Sequence, residues 1–182
     1  MSDVAAARDL LSDLFGRVHE QVVGLTDGWS EEIGLYRPDP EANSIAWLLW
    51  HLARVQDDHL ADLAGAEHVW PRWRDRFGLP FDADADGYGQ TAEEVAAVRV
   101  PGELLAGYHA EVHALTQRYL DGLSAAELNR VVDTRWDPPV TAAVRLASVI
   151  EDLEQHLGQA GYVEGLARRR AQRWDDPSAA QR

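Results

Sequence analysis

A histidine, His51, interrupts the most apolar run of the chain, SIAWLLWHLARVQDDHL over residues 44–60, and another, His156, follows Asp152 by four residues in SVIEDLEQHLGQAGYVEGL. An imidazole in such surroundings is either hydrogen-bonded within a core or aimed at a ligand. On an ideal wheel of about 100° per residue, Ile45, Leu48, Leu49, Leu52 and Val55 form one arc, with His51 at its margin beside Val55 and Asp58. His59 falls inside that arc. In the later segment Val149, Leu153, His156, Ala160 and Val163 share a face, and Asp152 and Gln159 flank it. A carboxylate and an imidazole four residues apart stack on the same side of a helix, which is how one helix offers two ligands to a metal ion. An ionised aspartate turned towards a core is costly unless a cation or donors meet it.

If the two helices face each other, His51, Asp152 and His156 supply three nitrogen and oxygen ligands and leave positions open for water or substrate. The competing account is a plain Asp152–His156 hydrogen bond that satisfies both groups without a metal. His59 and Asp58 are candidates to orient a ligand or to assist proton transfer. Glu151 and Glu154 lie on the opposite side and read as a solvated face. A second pair, His109 and His113 in HAEVH, is also one turn apart, but its glutamate is misplaced for the zinc-protease pattern His-Glu-x-x-His. Those two histidines read as surface or boundary residues, and His19 and His68 have no partner at a useful spacing.

Four long helical segments position these side chains. Val4, Ala7, Leu11, Leu14, Phe15, Val18, Val22 and Leu25 recur at threes and fours, with Ser2 or Asp3 as a cap. After a segment broken by Gly and Pro, Asn43 or Ser44 caps a second helix that runs to about Ala64 and carries His51. Residues 65–90 are rich in Pro and Gly, and a connection of that length is often functional or holds short helices. The capping box TAEE at Thr91 opens a third helix, interrupted at Pro101 and Gly102 and ending near Gly122. A short helix is expected over residues 124–129. RWDPPVT, residues 135–141, reads as a rigid lead-in to the fourth helix, which starts near Thr141, passes Leu166 and leaves a flexible tail from residue 173. No alternating strand pattern is present. The expected architecture is an all-α four-helix bundle over residues 1–172, with the second and third connections long enough to cross it.

Composition narrows the function. The 182 residues are 46% hydrophobic, which suits one domain with its own core. Seventeen Lys and Arg against 31 Asp and Glu give a net charge of −14, which argues against nucleic acid as a partner. With no cysteine there is no disulfide, thiolate ligand or cysteine nucleophile, so any thiol chemistry uses a thiol from outside. No apolar stretch approaches the roughly 20 residues that span a bilayer, and no secretory leader is recognisable, so a soluble cytoplasmic protein is expected. Gly-rich phosphate loops and the Gly-x-Ser-x-Gly elbow are absent.

The segments NSIAWLLWHLARVQDDHL, WDPPVTAAVRLASVIEDLEQH and GQAGYVEGL, in this order, resemble the DinB-like superfamily of metal-binding four-helix bundles. Within it they are similar to the actinobacterial branch related to mycothiol-dependent maleylpyruvate isomerase. That family places one metal-binding histidine on the second helix and an acidic residue or histidine four positions before a histidine on the last helix. Carried over, these are His51, Asp152 and His156. The resemblance implies a divalent metal, zinc or nickel, a homodimer, and a low-molecular-weight thiol of the mycothiol type transferred to, or used to isomerise, a small electrophilic substrate. The isomerase has a further C-terminal domain, and this chain stops soon after the bundle, so part of that pocket is expected to be missing. Other readings are a non-catalytic metal-binding stress-response or interaction module, and a metal-free bundle.

Overall fold

The computed structural model describes residues 3–175. Its first long helix, α1 (Asp3–Thr26), buries Phe15, Val18 and Val22 from the expected stripe. Ser2, one of its two candidate caps, lies outside the described residues. A single turn, α2 (Glu31–Gly34), precedes α3 (Ile45–Ala64), where the Ser44 side chain accepts from Trp47 N at 3.2 Å and so fixes the start. Gly65 ends α3 with φ +60°, the left-handed conformation that only glycine adopts without a steric penalty. The long second connection holds α4 (Trp70–Phe77) and α5 (Ala92–Ala97), the latter opened by the capping box of Thr91 and Glu94. Pro101 cannot continue a helix, so the expected third helix is two separate elements, α5 and α6 (Gly102–Asp121).

After α7 (Ala125–Leu128) the chain forms a small hairpin, β1 (Val131–Asp133) paired antiparallel with β2 (Val140–Thr141). No strand was expected here, because elements of three and two residues are too short to show an alternating pattern. RWDPPVT is the turn of this hairpin and leads straight into α8 (Ala142–Asp175). The helix passes the expected boundary at residue 173, and the rest of the tail lies outside the described residues.

The four long helices form a ring in which α1 packs against α6 and α8, and α3 packs against the same two. Sequential helices α1 and α3 are therefore diagonal, as are α6 and α8. It is the first and third connections that cross the bundle, whereas the longest, the second, joins neighbours and lies over α3. This cover explains why 15 of the 20 residues of α3 are buried, far more than one face. A layer of Trp50, Trp70, Trp73, Phe77, Phe81 and Tyr108 fills the space beneath it. Asp57, fully buried, ties the layer to the bundle by accepting from Val69 N at 2.8 Å, Trp70 N at 2.7 Å and Tyr108 Oη at 2.8 Å.

Candidate metal centre

Because α3 and α8 are neighbours in the ring, His51 faces Asp152 and His156, and the three can offer ligand atoms that all lie within 4.8 Å of one another. The rings of His51 and His156 meet edge to face, 4.7 Å between centroids and 78° between planes. His51 is buried rather than marginal, since residues of the second connection cover it. Its Nδ1 lies 2.5 Å from the Asp86 carbonyl. A carbonyl can only accept, so Nδ1 carries the proton and Nε2 keeps its lone pair, the tautomer a ligand needs. Trp47 stacks on the other side at 4.8 Å and donates to Gln90 Oε1 at 2.7 Å.

The loop behind His51 is pinned from α3 itself. Arg54, 2% exposed and set over the Trp70 ring, donates to Ala85 O at 3.0 Å and Asp84 O at 3.5 Å. Asp58 holds Arg54 in turn at 3.0 Å and meets His68 Nδ1 at 3.1 Å. His68 therefore has partners after all. Gly87, at φ +106°, brings the loop backbone so near that a Cβ would stand 2.7 Å from His51 Nδ1.

The electrostatics favour the ligand forms of the side chains. Burial lowers the pKa of His51 and keeps it neutral, against the opposing pull of the Asp86 carbonyl. Burial alone would raise Asp152, but the imidazoles of His156, His51 and His59 outweigh it and hold the carboxyl below its ordinary value. The Asp152–His156 separation, 3.5 Å, is too long to satisfy both groups as a hydrogen bond. That contact joins His156 Nε2 to Asp152 Oδ1; the other atom of each group, Asp152 Oδ2 and His156 Nδ1, is buried with no protein partner among the described residues. An unpaired carboxylate oxygen beside two imidazoles fits a divalent cation. This chain therefore carries a possible His-Asp-His metal site, and among the described residues no other group of three or more metal-type side chains converges this closely.

The match to the family model described as DinB superfamily runs over residues 6–160. The chain belongs to the DinB superfamily. A solved structure described as the conserved protein of locus from Enterococcus faecalis is similar at 34% identity, covering 87% of this chain and 95% of that chain with a TM-score of 0.81. No curated protein matches. The superfamily is associated with metal binding, which agrees with the donor set found here. None of the described helices of this DinB protein is long and apolar enough to cross a membrane.

A second histidine cluster sits apart from this site. His109 is fully buried, not at the surface, and His19, which appeared partnerless in the sequence, stacks on His113 with centroids 4.6 Å apart and planes at 6°. Their hydrogen bonds fix one proton arrangement. Thr116 Oγ1 donates to Val112 O at 3.0 Å, so it accepts from Gln56 Nε2 at 2.8 Å, and Gln56 Oε1 must accept from His109 Nε2 at 3.2 Å. His109 Nδ1 then accepts from His19 Nδ1 at 3.2 Å. The parallel rings do not converge on a point, so this is a packed seam between α1 and α6. One signal was available in the sequence: His109 stands four residues after Leu105 and seven before Thr116, both buried on α6.

Proposed function

We propose that His51, Asp152 and His156 hold a divalent metal ion, and that the site serves a metal-dependent transferase or isomerase reaction using a low-molecular-weight thiol of the mycothiol type. The observation that carries this reading is the convergence of three donors, one of them a carboxyl group with an oxygen that is buried without a protein partner. Two imidazoles and one carboxylate suit zinc, with nickel as the second choice. A bound ion of this kind lowers the pKa of a coordinated thiol or water and so supplies an anion at neutral pH. The chain's own residues do the rest. His51 presents a fixed lone pair, Asp152 contributes the negative charge, and the Arg54-pinned loop prevents the His51 ring from turning. With no cysteine in the chain, the thiol comes from solution.

An open site is favoured over a sealed structural one, because Asp152 also lines a surface cavity of about 410 Å³. The resemblance further implies a cytoplasmic homodimer. The test is thiol consumption by zinc- or nickel-loaded protein in the presence of an electrophilic acceptor. Mycothiol consumption that depends on the metal and disappears in His156→Ala is the expected result. Metal-loaded protein that is inert with mycothiol, bacillithiol and glutathione would overturn the thiol assignment.

A further inference from the structure

The cavity that Asp152 opens onto is lined by Val55, His59, Trp136, Arg145, Ser148 and Asp152, among others. On α8, Arg145, Ser148, Asp152 and His156 follow at spacings of three, four and four, so one helix face changes along its length from a guanidinium to the candidate metal ligands. Arg145 and Asp152 are seven residues apart, which is about 10 Å along the axis.

Arg145 is only partly committed to protein partners. Its Nη1 donates to His59 Nδ1 at 3.0 Å, and its Nη2 lies 3.4 Å from Asp133 Oδ2. Asp133 is already gripped by Arg135, at 3.0 Å through Nε and 2.7 Å through Nη2, so two guanidinium groups share this one carboxylate, while the nearest other carboxylate of the cavity lining, Asp152, lies about two helical turns along α8. The other N–H groups of Arg145 have no protein acceptor among the described residues. Because Arg145 donates to His59 Nδ1, the neutral His59 carries its proton on Nε2 and is a second donor. A smaller cavity of about 120 Å³ meets the same pair from the side of Arg130 and Asp62. Trp136, with 67% of its surface exposed, lines the same cavity as Asp152 and offers an apolar plane there.

We infer that this cavity binds a small carboxylate-bearing molecule, its carboxylate held by Arg145 with His59 and its apolar body lying on Trp136. A guanidinium at a cavity wall with N–H groups not used by the protein selects for an anionic group, and its fork matches a carboxylate. The separation from Asp152 suits a compound of a few carbons whose far end reaches the metal ligands. That this molecule is the substrate rests on the proposed metal-dependent function; its binding does not.

The experiment is a ligand-observed NMR titration of phenylacetate, crotonate and the neutral phenylacetamide with metal-loaded and metal-stripped protein, alongside metal content. Phenylacetate or crotonate should bind saturably, and phenylacetamide about tenfold or more weaker. Arg145→Gln should weaken the acid about tenfold, Arg145→Lys should restore part of the loss, and Trp136→Ala, an exposed change that cannot empty the core, should weaken phenylacetate several-fold. Equal binding of acid and amide, an affinity indifferent to both Arg145→Gln and Trp136→Ala, or no saturable binding up to about 10 mM would overturn the inference. Arg145-dependent binding by a protein that takes up no metal would defeat the metal-site reading alone. A fully metal-loaded protein that ignores the acids would defeat this inference alone.

Discussion

Asp57→Ala should destabilise the protein by about 4–6 kcal/mol, the largest effect of any single polar substitution described above. The side chain is wholly buried and accepts three hydrogen bonds, from Val69 N, Trp70 N and Tyr108 Oη. Burial and the nearby carboxylate push the Tyr108 phenol well above its ordinary pKa, so it remains a donor. Removing the carboxylate strands three donors, each at about 1–3 kcal/mol, and takes away an anion 3.8 Å from the buried Arg54. Asp57→Asn keeps an acceptor and should lose less. Urea denaturation checks this: the midpoint should fall steeply at an unchanged slope. A loss below about 1 kcal/mol would show that the α3–α4–α6 junction does not depend on this residue.

The protein should also lose stability in mild acid through His109. This imidazole is completely buried, and desolvation, with His19 and His113 beside it, lowers its pKa from 6.5 to about 3. His113 is lowered to about 4 by burial and by His19. The folded state keeps His109 neutral while the unfolded chain protonates below pH 6.5, so the contribution is fully present above pH 6.5 and is lost as pH falls towards 3. The groups facing it are His19 on α1, His113 on α6 and the neutral amide of Gln56 on α3. Between pH 7 and pH 5, where native His109 is still uncharged, wild type should lose about 2 kcal/mol more than His109→Gln. The variant controls for the carboxylates, which titrate alike in both proteins. Parallel stability curves would contradict the burial of a neutral imidazole at this position.

Much of this molecule was legible in the sequence because its signals are local. Helix stripes, the caps at Ser44 and Thr91, the short helix after Gly122, and the four-residue step from Asp152 to His156 depend only on spacing, and each is present in the structure. The burial of His51 was not legible, because a helical wheel sees one face and α3 is covered on others by the distant segment around Asp86 and Gly87. The order of helices in the ring was hidden for the same reason: connection length does not say whether a link joins neighbours or diagonals. His19 and His109 meet across 90 residues, and Arg145 meets His59 across 86, so neither pair leaves a local trace. The hairpin that brings Trp136 to the cavity is too short to carry a strand signature.

The most direct measurement is metal content by elemental analysis of protein purified without an affinity tag, for wild type and for the His51→Ala, His156→Ala double variant. About one zinc or nickel per chain in wild type, lost in the variant, is the predicted result, with a melting temperature that a chelator lowers in wild type only. Wild-type protein that holds no metal after reloading with zinc or nickel, or a double variant that holds as much as wild type, would contradict the assignment of His51, Asp152 and His156.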